Sequence, residues 1–229
     1  GEVAIGSFLM PFMEEIFKYE PTKAGAYLAF YWGGAMIGRL CGAVSLDLEM
    51  PDGKKYSMMA IIAAVVFALI YIVTGLGFQD GAFAFHPMAF NEVIFYMGFM
   101  VLNYIGFYFG KSNAARTLSI FSVAVIALLF VGVWGGVNHF SLWALLSIGL
   151  FNSIMWSNIF TLAIKDLGNY TSQGSSLLVM AIVGGAFVPM LMGFLIDKVG
   201  IQTAFLTPVA CYAYLLFYGL KGHRTAEEN

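Results

Sequence analysis

The chain alternates long apolar runs with short polar punctuation. Read between the polar breaks, it predicts eight helical spans at 3–17, 24–46, 57–77, 92–109, 118–136, 142–164, 175–195 and 202–220. At about 1.5 Å of rise per residue, roughly 20 residues cross the ~30 Å hydrocarbon core of a bilayer. All but the first and fourth spans therefore reach across comfortably. The runs do not alternate polar with apolar positions, as Met58 to Val73 shows, so barrel strands are a poor alternative. Boundary signals agree with helices. Pro21 and Thr22 precede the second span, Pro51, Asp52 and Gly53 break the chain before the third, and Ser141 is the expected cap of the sixth. Gly110, Gly168 and Gly200 fall just past helical runs, where a left-handed residue ends a helix. The predicted fold class is an all-α polytopic membrane helical bundle.

Composition sharpens this. Of 229 residues, 60% are hydrophobic and 10% charged, against about a quarter charged in an ordinary soluble domain. Such a chain cannot cover itself with a polar shell in water, so its expected partner is the lipid bilayer. The same figures exclude disorder. A net charge of −2 removes the electrostatic case for nucleic acid. Glu227 and Glu228 are too short a run to form a functional acidic tail. Cys41 and Cys211 sit in apolar runs and read as small buried hydrophobes, with no disulfide framework or metal-ligand spacing and no cofactor implied. The chain opens at Gly1 on a short apolar run without a charged leader, which predicts a cut through a longer protein.

Charge also predicts sidedness. Arg39, Lys54, Lys55, Lys111, Arg116, Lys165, Lys221 and Arg224 fall on one face, and Lys18, Lys23 and Lys198 on the other. Cytoplasmic loops retain Lys and Arg, so this asymmetry puts the C-terminus in the cytoplasm of a cell whose inner, or plasma, membrane holds the protein. Loop 78–91, with Asp80 and His86 but no Lys or Arg, falls outside. Asn169, Tyr170 and Thr171 fit a glycosylation sequon, but in a loop predicted to be cytoplasmic.

The block from Gly149 to Asp197, GLFNSIMWSNIFTLAIKDLGNYTSQGSSLLVMAIVGGAFVPMLMGFLID, resembles the tenth helix, basic cytoplasmic loop and eleventh helix of the fucose/galactose/glucose:proton symporters of the major facilitator superfamily. EVAIGSFL at 2–9 is similar to that family's seventh helix, and YWGGAMIGRLCGA at 31–43 to its eighth. The resemblance implies the C-terminal half of such a transporter, with the N-terminal half of the same protein absent. That half has six helices in the family, so 57–77 and 92–109 read as an inserted helix pair, peripheral to the rest. An even insertion preserves the sidedness of everything after it. Where related tenth helices commonly carry Pro, this chain has Ser157, which restores a backbone N–H and predicts an unkinked helix.

Candidate chemistry follows from the resemblance. Glu2 becomes an intramembrane carboxylate, expensive unless partnered, and a candidate acceptor for sugar hydroxyls or carrier of a proton. Its alternative is a juxtamembrane acid. The family implies that other proton-carrying carboxylates lie mainly in the absent half. Asn152 and Trp156 stand one helical turn apart, with Ser153 and Ser157 on the adjacent stripe. A sugar offers a ring of hydroxyls and an apolar C–H face, so amide hydrogen bonds beside an aromatic platform suit it. The alternative is interhelical hydrogen bonding and packing. Tyr27, Tyr31, Gly34, Gly38 and Gly42 share one stripe. The glycines read as close helix packing, and Tyr31 as a candidate substrate contact. Arg39 either pairs with Asp47 or a carboxylate of the absent half, or snorkels. Gly184, Gly185 and Pro189 lie mid-span, as packing positions before hinge positions. Gln173, Ser175 and Ser176 read as caps at the mouth of that helix.

No catalytic constellation is present: neither a HExxH helix, nor paired aspartates, nor an exposed Ser with a base. The expected function is secondary active import of a monosaccharide with protons by alternating access, so the expected partners are a sugar and a proton. The alternatives are a transporter of another small polar solute and a membrane sugar sensor that binds without moving its ligand.

Overall fold

A computed structural model describes residues 1–47, 49–79 and 82–223. Asp80, Arg224, Glu227 and Glu228, which entered the charge argument, lie outside the described residues. The helices are α1 (Glu2–Ile16), α2 (Pro21–Ser45), α3 (Asp52–Gly75), α4 (Phe90–Gly110), α5 (Ala114–Trp134), α6 (His139–Asn152), α7 (Met155–Ile164), α8 (Thr171–Met180), α9 (Gly184–Val199), α10 (Ile201–Ala204) and α11 (Thr207–Phe217). A short antiparallel hairpin, β1 (Leu76–Gln79) and β2 (Ala82–Phe85), pairs Leu76 with Phe85 and occupies part of the expected outer loop.

The molecule is an all-α polytopic membrane bundle. Among the described residues, six helical segments are long and apolar enough to cross a membrane: α3, α4, α5, His139–Ile164, Gly168–Val199 and Ile201–Gly222. α1 is 15 residues long, and α2 has the length, at 25 residues, but dilutes its apolar content with Gly, Tyr, Trp and Arg39.

Capping chemistry accounts for several boundaries and revises others. The Asn113 side chain accepts the Arg116 N–H at the start of α5. Asn138, not Ser141, caps α6, accepting the Ser141 N–H, because Ser141 already lies inside the helix and is buried. Gly200 (φ +82°) closes α9 as expected, whereas Gly110 stays helical and Lys111 (φ +49°) takes the left-handed turn.

The core gathers where α2, α4 and α6 meet. Trp143 is fully buried, with the rings of Tyr27 and Phe30 centred 5.1 Å away and that of Tyr96 at 5.6 Å. The Gly34–Gly38–Gly42 stripe of α2 faces α6 and the turn after it. A Cβ on Gly38 would strike the Leu150 carbonyl and the Ser153 side chain, and one on Gly42 the Ile154 side chain. Gly149 reciprocates, lying against the backbone carbonyl of Tyr31. The stripe is a packing surface, as its spacing predicts.

Two predicted continuous spans are broken. Span 142–164 opens at Ser153 and Ile154, between α6 and α7, although no Pro is present. The reason is side-chain competition: the Leu150 carbonyl accepts from Asn103 Nδ2 (3.1 Å) and from Ser153 Oγ (3.0 Å). α7 runs unbroken through Ser157, so the interruption lies a turn earlier than the position where relatives carry Pro. Span 175–195 tightens to a 3₁₀ turn at Ala181–Val183 between α8 and α9. Of the two spans read as peripheral, 57–77 and 92–109, the second is corrected. α3 packs along α2 and is otherwise largely exposed, but α4 is tied inward by Tyr96 Oη donating to the Phe30 carbonyl (2.9 Å) and by Asn103.

Candidate functional site

The residues that bear chemistry converge around the α6–α7 break. A cleft of two adjoining lobes, about 320 and 430 Å³, opens there, and Glu2, Trp156 and Ile182 border both lobes. Each volume falls within the ~300–1,000 Å³ usual for small-molecule sites. The first lobe is walled by Asn152 and Trp156 from α6 and α7, Tyr212 and Cys211 from α11, and Gly184, Gly185 and Val188 from α9. The second is lined by Glu2, Arg39, Ser153, Trp156 and Ser157.

Behind the first lobe runs a directed hydrogen-bond chain through four helices. Tyr212 Oη donates to Asn152 Oδ1 (2.7 Å), Asn152 Nδ2 donates to Tyr31 Oη (3.2 Å), and Tyr31 Oη donates to the backbone carbonyl of Glu2 (2.8 Å). Tyr31, Asn152 and Tyr212 are all buried. The chain orients the Asn152 amide and leaves it one N–H and one acceptor lone pair for a ligand. Trp156, 40% exposed, presents its indole to both lobes. Asn152 and Trp156 thus border one lobe despite the break between them.

Glu2 is partnered. Its Oε1 lies 3.5 Å from a guanidinium nitrogen of Arg39, with the two side chains 30% and 62% exposed. Arg39 therefore neither turns to Asp47, whose carboxylate instead accepts the N–H groups of Glu49 and Met50, nor merely snorkels. Because the pair is half open to the cleft, its attraction is screened and its intrinsic stabilisation small. Its two groups offer charged acceptors and donors to a polar solute.

Four expectations change. Tyr31 does not border the cleft: it is fully buried and its hydroxyl is committed to Glu2 and Asn152, so it positions rather than touches. Gly184 and Gly185 are not packing positions within the described residues, since a Cβ at Gly184 meets nothing within 4 Å and one at Gly185 only Val3 at 3.6 Å. With Pro189 inside α9, which cannot donate to the Gly185 carbonyl, they instead form a weakly braced wall of the cleft. Cys211 is only partly buried and borders the first lobe, unlike buried Cys41. Ser175 and Ser176 are not caps, since their hydroxyls turn back to the carbonyls of Thr171 and Ser172 within α8.

Sequence reasoning missed Tyr212, which lies 60 residues from its partner Asn152 in a span with several tyrosines. The available signal was general: a Tyr within an apolar run needs a partner for its hydroxyl. It also passed over Glu92, which accepts from Tyr27 Oη at 2.7 Å near the opposite end of α2.

Curated relatives cover the chain. A glucose/galactose transporter of Brucella abortus (strain 9-941) is 33% identical over 227 residues, 98% of this chain and 40% of the relative. A putative glucose/galactose transporter of Helicobacter pylori (strain ATCC 700392 / 26695) is 31% identical over 234 residues, 100% of this chain and 42% of the relative. An L-fucose-proton symporter of Escherichia coli (strain K12) is 36% identical over 135 residues, 56% of this chain and 31% of that protein. The chain thus spans about two fifths of the length of the glucose/galactose transporters it matches. No family model matches the chain, and no solved structure matches it.

Proposed function

Because the chain belongs to the fucose/galactose/glucose:proton symporter-like family of the major facilitator superfamily, we propose that it is the C-terminal half of a monosaccharide importer. The observation that carries this reading is the cleft at the α6–α7 break, where an oriented amide, an exposed indole and a carboxylate–guanidinium pair face one space. That set matches a neutral, hydroxylated solute: hydroxyls bond to Asn152, Glu2 and Arg39, and the sugar's C–H face rests on Trp156.

The walls of the cleft support alternating access. Both interrupted spans, at Ser153–Ile154 and Ala181–Val183, meet there, and interrupted helices around a midplane site are where secondary transporters bend. In this scheme 142–220 forms one three-helix repeat and α1, α2 and α5 the other, while the absent N-terminal half completes the site. Glu2 is the proton-coupling candidate of this half, because protonation would release Arg39 for substrate. The protein sits in the inner membrane with its C-terminus in the cytoplasm, in line with the excess of Lys and Arg on that face.

The test is uptake by the full-length protein in membrane vesicles, over a panel of fucose, galactose, glucose and amino sugars, with and without a protonophore. Accumulation that collapses with the proton gradient is expected. Accumulation unaffected by the protonophore would sink proton coupling, and binding without counterflow would mark a sensor.

A further inference from the structure

Away from the cleft, the seam between α3 and α4 has the polarity of an amphiphile. Its inner stretch is an apolar groove of about 490 Å³, with Ala60, Ala63 and Ala64 on one side and Met97, Met100 and Val101 on the other. The alanines stand three and four apart and so form a smooth strip along α3. The groove is open to the outside of the bundle, toward lipid.

Where these two helices reach the face rich in Lys and Arg, the same seam becomes polar. A second hollow, about 340 Å³, is lined by Asp52, Tyr56, Tyr108, Lys111 and Ser112. Tyr56 joins the two regions, its carbonyl accepting from Tyr104 Oη at 3.1 Å and its ring lying 5.5 Å from that of Tyr108. Tyrosine at this level suits the headgroup boundary. Just behind the hollow, Lys55 is 4% exposed. Its ammonium donates to Ser112 Oγ at 3.1 Å, and its nearest carboxylate among the described residues, Asp52, is 4.0 Å away and 84% exposed in its side chain. A buried cation with one neutral acceptor and a solvated, distant counter-ion is under-compensated. The first turn of α3 adds free backbone N–H groups at the same place.

We propose that this seam binds one anionic phospholipid, its phosphate between Lys111, Ser112 and the first turn of α3, and one acyl chain along the alanine strip. The dimensions agree. From Tyr56 to Phe67 at the far end of the groove, α3 rises about 16 Å, close to the ~15 Å of one hydrocarbon leaflet. Charge selects the headgroup: Lys55 and Lys111 outweigh Asp52, and each net basic charge near a membrane surface favours anionic lipid by about fivefold. Ser112 Oγ already donates to the Ser45 carbonyl, so a phosphate there would act on the buried Lys55 ammonium as a nearby negative charge rather than through the hydroxyl.

Native mass spectrometry of the delipidated full-length protein tests this, with equimolar phosphatidylglycerol and phosphatidylcholine of matched chains. The wild type should retain phosphatidylglycerol about fivefold over phosphatidylcholine, with the preference falling as ionic strength rises. Lys111→Gln should bring the ratio toward one, and Ala64→Phe should reduce both adducts by filling the groove. Equal retention of the two lipids by the wild type would overturn the proposal, as would an adduct unaffected by Ala64→Phe. A protein dimer abolished by Ala64→Phe would overturn it in favour of a second copy in the groove.

Discussion

Asn103 of α4 donates its side-chain amide to the Leu150 carbonyl of α6, 3.1 Å away, at the point where the long sixth span breaks. α4 thus reaches the rim of the cleft. Asn103→Leu keeps the branched heavy-atom shape and removes the donor. We expect a loss of about 1 kcal/mol, within the range measured for hydrogen bonds in proteins. The thermal midpoint of the full-length protein in detergent should fall, and sugar affinity should change with it. An unchanged midpoint with unchanged affinity would mean that the break is held by Ser153 and the backbone alone.

Asn152 and Trp156 should separate in their effects. Asn152→Ala strands the Tyr212 hydroxyl and removes the N–H that Tyr31 Oη accepts, so it should cost about 1–3 kcal/mol of stability as well as sugar affinity. Trp156→Ala removes a half-exposed ring, so sugar binding should weaken with little change in melting. Isothermal titration alongside thermal melting reads both quantities. Wild-type sugar affinity in both variants would remove this cleft from consideration.

Glu2→Gln tests proton coupling. The pair with Arg39 is open to solvent, so stability should move by less than about 1 kcal/mol. Gradient-driven accumulation should be lost while counterflow of labelled sugar persists. If Glu2 is only a hydrogen-bond acceptor, accumulation and counterflow will weaken together.

The glycines should divide by location. Gly38→Ala drives a methyl into the Leu150 carbonyl and Ser153, and should destabilise by about 1–3 kcal/mol. Gly184→Ala meets nothing within 4 Å and, with alanine's better helix propensity, should be neutral or slightly stabilising. Melting curves of the two variants provide the comparison. A loss at Gly184 as large as that at Gly38 would show that another helix packs against this wall in the full-length protein.

Cys211 offers a probe of occupancy, since it borders the cleft while Cys41 is buried with its thiol toward the Met59 carbonyl. Alkylation by a small maleimide should fall on Cys211, and a transported sugar should slow it. Equal labelling with and without sugar, at saturating concentration, would place the sugar elsewhere.

Helix identity, the membrane class and the glycine stripe of α2 were legible in the sequence because each depends on local regularity: length, apolar content and a 3.6-residue period. Asn152 and Trp156 were legible as a pair for the same reason, since one helical turn brings them to one side. Other features depend on partners distant in the chain, and no local pattern encodes those. The break without Pro needs Asn103, 47 residues from Leu150; the orientation of Asn152 needs Tyr212; and the partner of Arg39 is Glu2, 37 residues back. Burial likewise separates Tyr31 from Trp156. Both are aromatic residues on candidate faces, but only the packing of α1, α2 and α6 makes one a fixed support and leaves the other open. Sequence by itself thus determined what kind of solvent this chain folds in and where its helices run. Tertiary structure decided which polar groups meet, because in a nearly uniform apolar chain the choice among partners is made by helix contact.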